Sequence, residues 1–122
     1  DPLSDYVTGI ERLRAEGAAI RVCLPGHGPV VDDPRALIED HLAYAEAKLR
    51  PAEKALDATP RTAFDVVSRM PWRGGSATLA DLDGDEFFLA FADAFARLRR
   101  LAALGRAGLR IVNGAGLFSR VG

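Results

Sequence analysis

His27 is the side chain best placed by its neighbours to do chemistry. It stands in Leu24-Pro25-Gly26-His27-Gly28-Pro29, where two prolines and two glycines hold one imidazole in a short loop. Such a loop lets backbone approach a ligand closely. A neutral imidazole fixed there can give one ring nitrogen to a metal while an acceptor holds the other. A single imidazole is not a metal site, and an ordinary loop histidine has the same local sequence. The only other histidine, His41, precedes Leu42 of an apolar seam and reads as the flank of a packed helix. Cys23 with His27 suggests a thiol nucleophile and its base. A strand would put Cys23 on one sheet face with His27 beyond a turn, and no third group orients the pair. Cys23 reads instead as a small buried apolar residue.

The elements that must position His27 follow from periodicity. Leu3, Val7, Ile10 and Leu13 recur at helical spacing, Ser4 can cap and Gly17 can stop, which predicts a helix over residues 4 to 16. Ala18 to Leu24 is short, partly β-branched and ended by Pro25-Gly26, which predicts a strand of about five residues. One strand forms no sheet, so its partners must come from elsewhere. Asp33 as N-cap and Pro34 at the first helical position open a long helix. Its seam of Ile38, Leu42, Ala45, Leu49, Ala52 and Leu56 runs to about residue 57, with a kink expected at Pro51. Thr62 and Asp65 cap a short helix carrying Phe64, Val66, Val67 and Met70. Pro71 to Asp83 is irregular, with Trp72 expected as a lid on the core. Asp85 is expected to cap a helix to about Leu104 that turns Phe88, Phe91, Phe95, Leu98 and Leu101 inward. Residues 109–112 and 117–121 flank Asn113-Gly114-Ala115-Gly116 and predict a hairpin.

Composition bounds the answer. The chain has 122 residues, is 48% apolar and has a net charge of −1, which suits one ordinary folded domain rather than a disordered chain. No run of about 18 uncharged apolar residues exists to span a membrane, and the acidic start is unlike a signal peptide. A lone cysteine makes no intrachain disulfide, so a cytoplasmic protein is expected. The first residue is Asp1 rather than Met, which raises the expectation of a piece of a longer polypeptide. Charge is uneven, since Arg97 to the end holds six arginines and no acid. Arg97, Arg99, Arg100, Arg106, Arg110 and Arg120 could form a patch for nucleic acid or another anion, or simply cover apolar surface with their stems. Asp81-Leu82-Asp83-Gly84-Asp85-Glu86 starts like a calcium loop but has Glu86 at the sixth place and Ala92 at the twelfth, where an EF-hand needs Gly and Glu.

The loop Leu24-Pro25-Gly26-His27-Gly28-Pro29 follows Asp5-Tyr6-Val7-x-x-Ile10-x-x-Leu13 and precedes Asp33-Pro34-Arg35. Together these resemble the last metal-ligand motif of the metallo-β-lactamase-fold hydrolases. His41-x-x-x-x-Glu46-x-x-Leu49 and Thr62-x-x-Asp65-Val66-Val67 resemble the winged-helix domain that closes many of them. The resemblance covers essentially the whole chain. It implies that His27 is the final histidine of a dinuclear zinc site, that Pro25, Gly26, Gly28 and Pro29 shape its loop, and that metal-bound water attacks a carbonyl or phosphoryl centre. The His-x-His-x-Asp-His loop, the middle histidine and the bridging aspartate have no counterpart in this sequence. The chain alone is therefore expected to be inert. Leu42 and Ala45 also stand where the family often has Arg.

The expected fold is thus mainly helical α+β. Residues 1–33 would be the terminal helix-strand piece of a metallo-β-lactamase αββα fold, and residues 34–122 a winged-helix-like domain. Its partner would be an upstream metallo-β-lactamase domain of the same polypeptide. The alternatives are a stand-alone winged-helix nucleic-acid binder and an oligomerisation module that pairs two copies through the long-helix seam. Phe87, Phe88, Phe91 and Phe95 on the would-be recognition helix count against the binder, because they belong in a core.

Overall fold

The structure, a computed structural model, describes residues 2–122. Among the described residues four α-helices and a three-stranded sheet make a mainly helical α+β fold. They are α1 (Pro2–Glu16), α2 (Pro34–Ala55), β1 (Arg61–Thr62), α3 (Ala63–Val67), α4 (Gly84–Ala103), β2 (Ala107–Val112) and β3 (Ala115–Arg120). Among the described residues no helix is long and apolar enough to cross a membrane. The chain divides into two compact units, residues 2–47 and 48–122, with the division inside α2. The sequence places a boundary at 33/34. The two divisions differ because the first half of α2 is tied to α1 by side chains: Tyr6 Oη lies 2.6 Å from His41 Nδ1, and Arg14 pairs with Glu39 at 3.8 Å.

In residues 2–47, α1 forms at the expected apolar spacing and starts two residues earlier than expected, yet none of its residues is buried. The strand expected over 18–24 does not form. Residues 17–19 are a turn, and Cys23 makes a single antiparallel bridge with Val31. The cause is the one that limits any lone strand: with no neighbour for its backbone groups, only the Cys23 and Val31 pair exchanges hydrogen bonds, of 2.8 and 3.0 Å. Cys23 is half-buried rather than buried. Asp33 caps α2 as expected, its carboxylate accepting from the Arg35 N–H at 3.2 Å.

In residues 48–122, the strand order is β1-β3-β2, antiparallel throughout, with Arg61 opposite Phe118 and Leu109 opposite Phe118 on the other side. The core gathers Leu49, Ala52 and Leu56 of α2, Val66 and Val67 of α3, Leu98 and Leu101 of α4, and Phe118 of β3. Thr62 caps α3 as expected, accepting from the Asp65 N–H. The cap of α4 is Asp83, not Asp85: the helix begins at Gly84, leaving Asp85 and Glu86 in its first turn, where their charge suits the helix N-terminus. Trp72 is half-buried and brackets a turn by a bridge to Ala77, so it is not a full lid. The hairpin turn is only Asn113-Gly114, both at positive φ (50° and 79°), as a two-residue type I′ turn requires. Ala115 and Gly116 therefore belong to β3.

The aromatic face of α4 departs from expectation. Phe88 is 69% exposed, Phe95 38% and, on α3, Phe64 53%. The buried face of α4 is narrower than the apolar stripe, comprising Ala94, Arg97, Leu98 and Leu101. Phe87, Phe91 and Phe95 instead stack along the helix, ring centroids 6.5 and 6.3 Å apart, and Phe95 meets Phe118 edge-on at 6.2 Å.

Truncating the fully buried Leu98 to alanine should cost about 2–5 kcal/mol of stability by lost contact and residual cavity. Leu109→Ala, at a 41% exposed position, should cost far less in the same urea titration. Carboxylates set the acid limit. The Arg69 guanidinium, then Arg61 and the Thr59 N–H, hold Asp57 below its ordinary value of 3.8, and Arg106 holds Glu53 below 4.5. A depressed carboxylate contributes stability that is present above its unfolded value and lost as pH falls through its folded one. The melting temperature should therefore hold from neutrality to about pH 5 and fall below about 4.5. Asp57→Asn should reduce that acid-dependent part.

Candidate functional site

The two hydrogen bonds between Cys23 and Val31 close residues 24–30 into a loop. Its apolar ends face water, with Leu24 74% and Val30 57% exposed. Pro25 is half-buried, while Gly26, His27, Gly28 and Pro29 are exposed. Gly28 takes φ +95°, a backbone state that side chains rarely adopt, so glycine there sets the turn that follows the imidazole. The loop thus presents His27 outward on a short tethered arc.

Nothing nearby completes a site. Among the described residues no group of three or more His, Cys, Asp and Glu could hold a metal ion. His41, the other imidazole, is engaged by Tyr6. A polar cleft of about 400 Å³ in the same unit is lined by Gly17, Ile20, Arg21, Asp32 and Arg35 and does not include His27. Asp33, at its rim, is held below the ordinary carboxylate range by the Arg35 side chain and N–H. The cleft offers two carboxylates and two guanidiniums and no imidazole. Since zinc takes four ligands, or three and a water, one exposed histidine does not fit a zinc site by itself.

The C-terminal arginines are dispersed rather than pooled. Arg97 is buried, 7% exposed, and pairs with Asp93 one helical turn earlier, which Lys48 also approaches at 3.9 Å. Arg106 makes a two-pronged pair with Glu53, at 2.9 and 2.6 Å. The Arg120 guanidinium donates to the Leu56 carbonyl at 2.8 Å. Arg100 is half-buried and engaged within the fold. Arg99 and Arg110 remain exposed. Sequence reasoning grouped these residues by charge. The Asp93–Arg97 spacing of four was the legible sign that one was spent internally.

The surface that sequence reasoning missed lies between α3, the middle of α4 and the β2–β3 face. Phe64, Phe95, Leu109 and Ile111 surround an open groove of about 360 Å³ floored by Phe118, with Arg99 at its edge. Four phenylalanines at 87, 88, 91 and 95, more than one narrow helix face can bury, were the available signal.

No protein-family model and no curated protein matches the chain. Solved structures do. A metallo-beta-lactamase family protein from Thermus thermophilus is similar at 28% identity with a TM-score of 0.62. A beta-lactamase domain protein from Burkholderia ambifaria is similar at 23% identity with a TM-score of 0.70. Each match covers 98% of this chain and 34% of the other, so the chain spans about a third of the structures it matches. That likeness fits a fragment of the metallo-β-lactamase fold.

With three of the six arginines after residue 96 held by Asp93, Glu53 and the Leu56 carbonyl, duplex DNA should bind feebly. The slope of log affinity against log salt should be no steeper than about −3, measured by fluorescence anisotropy. A steeper slope would mean that the internal pairs open to phosphate.

Proposed function

We propose that this chain is the C-terminal segment of a zinc-dependent metallo-β-lactamase-fold hydrolase, supplying His27 to the site and residues 34–122 as a winged-helix cap. The observation that carries the reading is the likeness to a metallo-beta-lactamase family protein and a beta-lactamase domain protein across 98% of this chain and only 34% of theirs. The loop sequence Leu24 to Pro29 and its outward imidazole support it. So does the state of residues 2–33, a helix with no buried residue followed by an extended segment with a single bridge. Both want a sheet to lie on, which an upstream domain of the same polypeptide would provide.

The winged-helix part of the reading rests on element order. From the end of α2 the chain runs strand, short helix, long helix and hairpin, with the first strand beside the last. The stand-alone nucleic-acid binder loses ground from the internal pairing of the arginines. In the intact protein zinc would supply the Lewis acid, held by His27 and by donors outside these residues. This chain's own contribution is to hold one imidazole on a loop pinned by the Cys23–Val31 bridge and turned by Gly28. The isolated chain should be inert toward esters, thioesters and phosphodiesters.

Metal analysis of the full-length gene product tests the reading. His27→Ala should lower bound zinc by about one equivalent per chain and abolish hydrolysis, while His41→Ala should leave the zinc content intact. Unchanged zinc in purified, folded His27→Ala protein would overturn the assignment.

A further inference from the structure

The groove on the C-terminal unit belongs to no part of the hydrolase reading. Its floor is Phe118, only 1% exposed, and its walls are Phe64 and Phe95 on one side and Leu109 and Ile111 on the other. Leu109, Ile111 and Phe118 converge at Gly116, where a Cβ would lie 3.4 Å from Leu109 Cδ1, 3.8 Å from Ile111 Cδ1 and 3.9 Å from Phe118 Cε2. The missing side chain at Gly116 therefore keeps the floor open. Ile111 is left 65% exposed and Leu109 41%, an apolar surface that costs free energy in water unless something covers it.

Charge decides what kind of occupant fits. The lining contains one formal charge, the Arg99 guanidinium, and one hydroxyl, Thr62, with no carboxylate. Among the described residues no acid pairs with Arg99, which is exposed at the groove's edge. A second copy docked face to face would bring two guanidiniums together over an apolar floor without an acid to pair them. An apolar chain ending in a single negative charge matches the whole lining. At about 360 Å³ the groove is small-ligand sized, near the lower end of the range of about 300–1,000 Å³. We propose that it binds a free medium-chain carboxylate, the alkyl chain covering Phe95, Leu109 and Ile111 above the Phe118 floor and the carboxylate accepting hydrogen bonds from Arg99. Thr62 Oγ1 does not compete for it, because that hydroxyl already donates to Asp65 at 2.7 Å.

Titration of the 122-residue chain with dodecanoate, below its aggregation threshold and followed by backbone amide NMR, tests this independently of any zinc chemistry. Saturable binding with shifts at Phe95, Leu109, Ile111 and Gly116 is expected. Dodecanol, which has the chain without the charge, should bind about tenfold more weakly. Arg99→Gln should weaken dodecanoate by a similar factor and leave dodecanol unchanged, while Arg99→Lys should retain most of the affinity. Gly116→Val should weaken both ligands, with circular dichroism confirming that it folds. Equal affinity for dodecanoate and dodecanol, or no saturable binding by the folded chain, would overturn the proposal. So would sedimentation showing a dimer formed through these same residues, which would assign the groove to a second copy.

Discussion

The C-terminal unit depends on how the last turn of α2 is tied down. A helix ends with carbonyls that have no partner within it and with a partial negative charge, and cations placed there are stabilising. Here the Leu56 carbonyl accepts from the Arg120 side chain and the Asp57 carbonyl from the Arg120 N–H at 2.7 Å. Glu53, one turn earlier, takes Arg106 from the start of the hairpin. Asp57 takes Arg69 from beyond α3 and Arg61 from β1. The hairpin, 53 to 64 residues further along the chain, thus meets the nearer β1 and α3 segments at one helix end, beside the apolar positions Leu49, Ala52 and Leu56, each at most 3% exposed. Exposed pairs of this kind contribute little free energy singly. Their effect is to fix direction, because they set where the hairpin and β1 leave the core that burial creates.

The same arrangement explains why the charge asymmetry of the sequence misleads. Six arginines in the last 26 residues look like a field aimed outward. Three of them have partners upstream: Asp93 for Arg97, Glu53 for Arg106, the α2 terminus for Arg120. Only the first is legible in sequence, as an i, i+4 pair on one helix. The Glu53–Arg106 pair spans 53 residues and becomes visible only once the hairpin returns to α2. Net charge per segment is a statement about the surface only when the segment's ions are not already matched across the fold.

Elements set by chemistry within a few residues are legible in the sequence. The Asp33-Pro34 start of α2, the Thr62 and Asp65 cap of α3 and the hairpin around Asn113-Gly114 all depend on residues within four positions; the first two stand where the sequence puts them, and the hairpin forms with a turn two residues shorter than the sequence predicts. The elements that differ from the sequence pattern depend on neighbours far along the chain or outside it. The strand over 18–24 needs a partner strand. Phe88 and Phe95 needed a surface wide enough to receive an apolar stripe that α4 presents only in part. The His27 loop was legible as a rigid, glycine-bearing turn. On the proposed reading it is a ligand loop whose other donors lie on no described residue.

Residues 2–33 and residues 48–122 stand in opposite energetic positions. The second segment buries Leu56, Val66, Val67, Leu98, Leu101 and Phe118 to 2% exposure or less. At about 1.5–3 kcal/mol for each fully buried large side chain, that core can offset much of the entropy of ordering its own backbone. The first segment leaves Leu13, Val22, Leu24 and Val30 more than 40% exposed, has no buried residue in its helix, and holds its extended part by two backbone hydrogen bonds. Its apolar side chains are left to water, and among the described residues no cluster of metal-binding side chains gathers round the imidazole of its loop. On the proposed reading these are one fact seen twice: the surface that would bury Val22 and Leu24 belongs to the same upstream domain that would bring the other metal donors to His27. Anything that supplies one should therefore supply the other, and metal loading should protect the backbone of residues 20–31 from hydrogen exchange while leaving residues 48–122 unchanged.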